Sequence, residues 1–136
     1  MFSSVYSNQY WPTYQQQLLL KACLLDQKRS LIAYEQWEKA IDIDHLDHDS
    51  NKLLGLLYRH LSQQQIESQH LGRLKGVNRY QWTKNQLIIG QLEKIREQFQ
   101  QAEIDFICLG DLALLSSYYQ DSGSKFIHNL SYRDFV

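Results

Sequence analysis

Apolar positions recur at the helical period through most of this chain. From Thr13 the series Tyr14, Leu18, Ala22 and Leu25 steps by three or four residues, and Pro12-Thr13 supplies a start signal, so the pattern predicts a helix to about Leu25. The polar break Asp26-Gln27-Lys28-Arg29 follows, and Ser30 is placed to cap a second helix with Leu31, Tyr34 and Trp37 on one face. So short a connection predicts an antiparallel pair. Across residues 41–51 the period fails among Asp and His. Asp49 or Ser50 then starts a third helix, whose broad stripe is Leu53, Leu54, Leu57, Tyr58 and Leu61. After a polar turn at residues 62–65, the stretch 67–102 reads as one long helix. Ile88, Leu92, Ile95 and Phe99 share its inner face, and a kink or break is expected near Gly76, because Gly72 and Gly76 weaken its first turns.

The last third changes character. An apolar run at residues 104–109 leads into Gly110-Asp111, a short helical pattern, a polar loop, and then Ser131-Tyr132-Arg133-Asp134-Phe135-Val136. That order predicts strand, tight turn, helix, loop, strand. The expected fold class is therefore α+β and mainly helical: four or five helices followed by a small strand-helix-strand unit. One domain is expected, helical over residues 1–102 and strand-helix-strand over 103–136, since 136 residues are too few for two ordinary domains.

Composition narrows the class. With 43% hydrophobic and 21% charged residues, one Pro and six Gly, the chain fits a globular protein and not a disordered, collagenous or disulfide-framework one. A net charge of -1 gives no general attraction to polyanions, so no nucleic-acid partner is expected. Met1-Phe2-Ser3-Ser4-Val5 lacks the basic start and apolar core of a secretion signal, and the longest apolar run, residues 18–25, contains Lys21 and falls well short of a bilayer. A cytoplasmic protein with no membrane partner is the expectation. Cys23 and Cys108, each isolated in an apolar pattern, read as buried thiols.

Three further groupings invite a chemical reading. Asp42-Ile43-Asp44-His45-Leu46-Asp47-His48-Asp49 contains ligand types that suit zinc or nickel, but its position between helices reads as a loop with capping aspartates. Arg73, Lys75, Arg79 and Lys84 interleave with Tyr80 and Trp82, a combination that can touch nucleic acid, yet the surrounding Gln residues read as a solvated helix face. Tyr6, Tyr10, Trp11 and Tyr14 are expected to pack back onto the helices. No spacing of nucleophile, base and orienting group supports hydrolase chemistry.

Taken in order, several segments resemble a family of uncharacterised bacterial nucleotidyltransferase-like proteins related to the DNA polymerase β superfold. They are Leu18-Leu19-Leu20-Lys21-Ala22-Cys23-Leu24-Leu25, then Leu53-Leu54-Gly55-Leu56-Leu57-Tyr58-Arg59-His60-Leu61, then Tyr80-Gln81-Trp82-Thr83-Lys84-Asn85-Gln86-Leu87. They continue as Ile107-Cys108-Leu109-Gly110, a helix ending in Tyr118-Tyr119, the loop Asp121-Ser122-Gly123, and Tyr132-Arg133-Asp134, where the family has Asp-x-Asp on a strand. The resemblance implies a nucleoside triphosphate as ligand, Gly110 and Asp111 as nucleotide-binding residues, and Asp134 as catalytic residue and metal ligand for Mg²⁺. In an active relative the two carboxylates of Asp-x-Asp lie on one face of a strand and share metal.

The chain departs from that pattern. Asp134 has Tyr132 in place of the first carboxylate, a phenol that titrates near pH ~10 and ligates magnesium poorly. Leu109 replaces the lysine before Gly110, and His128-Asn129 stands where the family has Arg-Pro. The expected function is a degenerate or incomplete nucleotidyltransferase-like protein acting by binding. An active Mg²⁺-dependent nucleotidyltransferase and a helical interaction module without a nucleotide role are the alternatives. Two short strands make a marginal sheet with open edges, so a second copy or a protein partner that completes it is also expected.

Overall fold

The computed structural model describes residues 11–117 and 121–127. Five helices occupy them: α1 Tyr14–Leu24, α2 Gln27–Ala40, α3 His48–Gln63, α4 Leu71–Gln101 and α5 Gly110–Ser117, with short 3-10 turns at Ile43–His45 and Ser122–Ser124. The first starts where the sequence places it. Thr13 Oγ1 accepts from the Gln16 amide while the Gln16 side chain accepts from the Thr13 amide, a reciprocal pair that satisfies two donors left over at the helix start.

The second and third helices start earlier than the expected caps. Asp26, and not Ser30, caps α2 by accepting from the Arg29 amide, and Asp47, ahead of Asp49 and Ser50, caps α3 by accepting from the Ser50 amide. Ser30 instead lies buried inside α2 and donates its hydroxyl to Ala22 O at 2.6 Å, tying α2 to α1. This register turns Ser30, Ala33, Tyr34 and Trp37 inward and leaves Leu31 partly exposed.

Helices α1 to α3 and the start of α4 enclose the main core. Leu19, Ala22, Trp37, Leu57, Leu61 and Leu74 are wholly buried there, and Tyr34 and Leu54 nearly so. The fourth helix runs through Gly76 without a break, because both Gly72 and Gly76 face open space and no neighbour forces a bend. At 31 residues it extends about 46 Å, far enough to leave the main core and form the wall of a second one. That second cluster is Ile88, Leu112, Leu115 and Ile127, with Ile89, Leu92 and Cys108 against it.

Both α3 and α4 end in the same way. Gln65 and Glu103 take left-handed backbone angles, φ 55° and 57°, and the residues after them, Ile66 and Ile104, donate their amides back to Leu61 O and Phe99 O. These are Schellman ends.

The α+β expectation is overturned. Residues 104–109 are extended, with a single isolated bridge at Cys108, and no strand or sheet forms among the described residues. Side chains still alternate along the segment: Phe106 turns in to meet Phe99 edge-on at 5.1 Å, and Cys108 joins the second cluster, while Ile107 and Leu109 are exposed. An apolar run satisfies the strand pattern equally well when it lies flat against a helix, and here α4 supplies the packing a neighbouring strand would have given. The expected second strand, residues 131–136, lies outside the described residues. The sheet edge that a partner strand was expected to complete is not formed among the described residues.

No helix among the described residues is long and apolar enough to cross a membrane. Both thiols are free, and burial pushes that of Cys23 up to about 12.

Candidate functional site

The resemblance quoted separate stretches of sequence, and three of them meet at one place. The loop carrying Asp121-Ser122-Gly123 is pressed onto α3 and α4. Asn85 Nδ2 donates to Ser122 O at 2.5 Å and to Lys125 O at 2.6 Å, and Asn78 Nδ2 donates to Gly55 O at 3.1 Å and reaches Asp121 Oδ2 at 3.4 Å. Asp121 fixes the turn from within, accepting from the Gly123 amide and the Ser124 hydroxyl.

Gly55 and Gly123 allow this approach. A Cβ on Gly55 would sit 2.1 Å from Gln81 Oε1 and 2.3 Å from Gly123 O, and one on Gly123 would run into the Asn78 carboxamide at 2.7–2.8 Å. Both glycines are required by space, not by backbone angle.

Clamping the loop positions Lys125 and Phe126 beside α3 and the start of α5. Between them lies a cleft of about 440 Å³, lined by Asp49, Lys52, Leu53, Leu56, Asp111, Ser124, Lys125 and Phe126. Gly110 opens α5 with φ 63°, the left-handed angle that glycine adopts without strain. Lys125 Nζ pairs with Asp111 Oδ1 at 2.8 Å and is four-fifths buried, while Lys52 Nζ pairs with Asp49 Oδ1 at 3.0 Å on the α3 wall. Lys84 joins this side, its Nζ 5.3 Å from the centre of the Phe126 ring, with Lys52 Nζ at 6.0 Å and the His48 ring edge-on at 6.2 Å.

Of the site residues expected from the resemblance, Asp111 lines this cleft, Gly110 precedes it at the start of α5, and Asp134 lies outside the described residues. Lys52, Lys125 and Phe126 went unnoticed in the sequence. A signal was present, since Lys125 and Phe126 directly follow the Asp-Ser-Gly turn and Lys52 opens the leucine-rich helix on the same side as Asp49.

The magnesium expectation finds poor donors here. The two carboxylates lining the cleft each face a lysine, and among the described residues no group of three His, Cys, Asp or Glu side chains could hold a metal. Magnesium wants several hard oxygen ligands in octahedral order, which two lysine-paired carboxylates do not supply.

The Asp- and His-rich loop does what its capping residues suggest. Asp42 accepts from the Asp44 amide and pairs with His45 Nδ1 at 2.7 Å, Asp44 pairs with Arg73, Asp47 caps α3 and also accepts from Gln16, and Asp49 holds Lys52. The Asp44 amide and the His45 ring hold the Asp42 carboxyl below its usual range, and bonding to Asp42 raises His45. Of the basic stretch, Arg73 is thus engaged with Asp44 and Lys84 with Phe126. Trp11 and Tyr14, expected to pack inward, are exposed at 74% and 67%, and Tyr6 and Tyr10 lie outside the described residues.

Comparison of this chain with family models, with curated proteins and with solved structures finds no match.

Proposed function

We propose that this chain is a nucleotidyltransferase-like binding protein that takes up a phosphate-bearing nucleotide in the cleft between α3, the start of α5 and the clamped loop, without transferring it. The observation that carries this reading is the convergence of Gly55, Asn85 and Asp121-Ser122-Gly123 on one junction. These residues come from three segments of the resemblance, and together they fix Lys125 and Phe126 at the cleft. Residues scattered along the sequence that meet only to hold a loop beside paired lysines support a ligand site over a bare helical scaffold.

Charge supports an anion. Lys52, Lys84 and Lys125 gather around Phe126 and the cleft against the two carboxylates of Asp49 and Asp111. Lys125 is the chief contact, because it is the most enclosed of the ion-paired lysines and its attraction for phosphate is least screened by water. Asp111 competes for it: a ligand phosphate takes the place of the carboxylate at Lys125. Chemistry is left out of the reading because the described residues that line the cleft do not include two adjacent carboxylates free to share metal.

Calorimetry with ATP tests this. Lys125→Ala is expected to weaken binding by about tenfold or more, the loss of one enclosed charge-assisted contact, and Asp111→Asn to strengthen it. Undiminished binding in Lys125→Ala refutes the site, and release of pyrophosphate from ATP at a rate that depends on Asp134 refutes the restriction to binding.

A further inference from the structure

A second space adjoins the cleft. Lys52 and Phe126, which line the cleft, also line this chamber of about 170 Å³, whose other walls are His48, Asn51, Val77, Tyr80 and Gln81. The two spaces differ in chemistry. The cleft is edged by Lys–Asp pairs, whereas the chamber is edged by the rings of Tyr80, Phe126 and His48 and the aliphatic Val77. A ligand spanning both needs an anionic part joined to a flat, weakly polar part, which describes a nucleoside phosphate and excludes inorganic phosphate or a sugar phosphate.

Resting on the nucleotide reading above, we infer that the chamber is the base subsite, where the nucleobase lies against Tyr80 and Phe126 while its phosphates meet Lys52 and Lys125. Tyr80 can take this part because its ring is 66% exposed at the chamber wall and is not needed by the core. Phe126 is held for it by the clamped loop and by the ammonium groups of Lys52 and Lys84 over its ring.

The chamber reads shape, not base identity. Asn51, the side-chain amide on the α3 wall, already donates its Nδ2 to Leu46 O and Asp47 O, both at 3.1 Å. Gln81 is buried with its Oε1 turned to Gly55, where that glycine leaves it room, and not to the chamber. Asn51 Nδ2 is spent on backbone oxygens and Gln81 Oε1 sits beside Gly55 without a hydrogen-bond partner, so stacking on the rings is what the chamber offers, and every base has a flat face to stack.

The test is calorimetry on the full chain with ATP, GTP and sodium tripolyphosphate, for the wild type and Tyr80→Ala. Tyr80 is exposed, so the variant keeps the fold, which a melting curve verifies. ATP and GTP are expected to bind within about threefold of each other and about tenfold or more tighter than tripolyphosphate, from stacking alone. In Tyr80→Ala, ATP falls to the tripolyphosphate level and tripolyphosphate is unchanged. If the wild type holds ATP and tripolyphosphate equally, or Tyr80→Ala holds ATP as well as the wild type does, the base subsite is wrong and the phosphate cleft stands. A preference above about tenfold for one base overturns the shape-only reading. Binding of none of the three overturns the cleft and the subsite together.

Discussion

The two clusters of this molecule are built by different means. The first, within α1 to α3 and the start of α4, is an apolar core: Leu19, Trp37, Leu57, Leu61 and Leu74 are fully buried, and α1, α2 and α3 carry side-chain caps from Thr13, Asp26 and Asp47. The second, around Ile88, Leu112, Leu115 and Ile127, has few apolar members among the described residues, and the loop that closes it is held by the Asn85 carboxamide of α4 reaching two backbone oxygens. Apolar area is forgiving of small shifts, whereas a hydrogen bond from a buried amide is lost when its partner moves by an ångström. The first region is therefore the stable platform, and the second, which carries the cleft, is the part that opens locally at lower cost.

Breaking the platform gives the largest effect. Trp37→Ala removes the largest fully buried side chain and is expected to cost about 3–5 kcal/mol, lowering the global melting temperature. Chemical denaturation followed by circular dichroism checks it, and a loss confined to residues 104–127 by hydrogen exchange contradicts the division drawn here.

Gly55→Ala strikes the second region instead. The new methyl meets Gln81 Oε1 and Gly123 O at distances no real contact allows, and one of its neighbours is backbone, so the loop must lift. Overpacking of this kind costs about 1–3 kcal/mol. Amide exchange is expected to rise through residues 121–127 while α1 and α2 keep their protection, and ATP affinity is expected to fall with the loop. Uniform destabilisation of all helices would place Gly55 in the platform.

The helix ends sharpen the same contrast with a smaller effect. Gln65 and Glu103 occupy left-handed positions that cost a side-chain-bearing residue about 1–2 kcal/mol, part of which glycine returns as entropy lost from the unfolded chain. Gln65→Gly, between α3 and α4, is expected to raise the melting temperature of the whole chain by a net of roughly 0.5–1 kcal/mol of stability. Glu103→Gly, at the far end of α4, is expected to protect residues 104–117 against exchange with little change in global melting. Equal global gains from both would mean that the two regions unfold as one.

The same division explains what could be read from the sequence. The platform was legible because its helices obey one rule, an apolar residue every three or four positions, so that Leu18, Tyr34, Trp37, Leu54, Leu57 and Leu61 were all placed inward correctly. Helix starts were legible in kind but not in register: Asp26 caps in place of Ser30 and Asp47 in place of Asp49 or Ser50, because a carboxylate just before the first turn accepts from its amides and complements the helix dipole. The second region misled. Residues 104–109 carry a strand pattern, and no local feature tells an extended segment lying on a helix from one paired in a sheet. Of the cleft's lining, Asp111 was singled out only through the resemblance, and placing Lys125 and Phe126 there required knowing that Asn85 clamps the loop, a contact spanning 40 residues.

The smallest expected effect is a pH response confined to the platform. His60 lies on α3 beside the end of α1, where burial holds its imidazole below the ordinary value. A histidine kept neutral in the folded state contributes stability in full above that ordinary value, about 6.5, and loses it as the pH falls from there toward the lowered folded value, because only the unfolded chain takes up the proton readily. His45 has the opposite sign: Asp42 raises it, so its contribution is complete at low pH and fades as the pH rises through that raised value. His45 is exposed and its pair with Asp42 is screened, so His60 dominates as the pH falls through its ordinary value of about 6.5 toward its lowered one. Melting temperatures across that window are expected to decline in the wild type, to flatten in His60→Gln and to decline slightly more steeply in His45→Gln. Were His60→Gln to leave the slope untouched, the pH-sensitive joint would lie elsewhere than at the contact of α1 with α3, and the caps at Asp26 and Asp47, whose carboxyls are held below their usual range by bonds from Arg29 and Ser50, would account for losses only at more acidic pH.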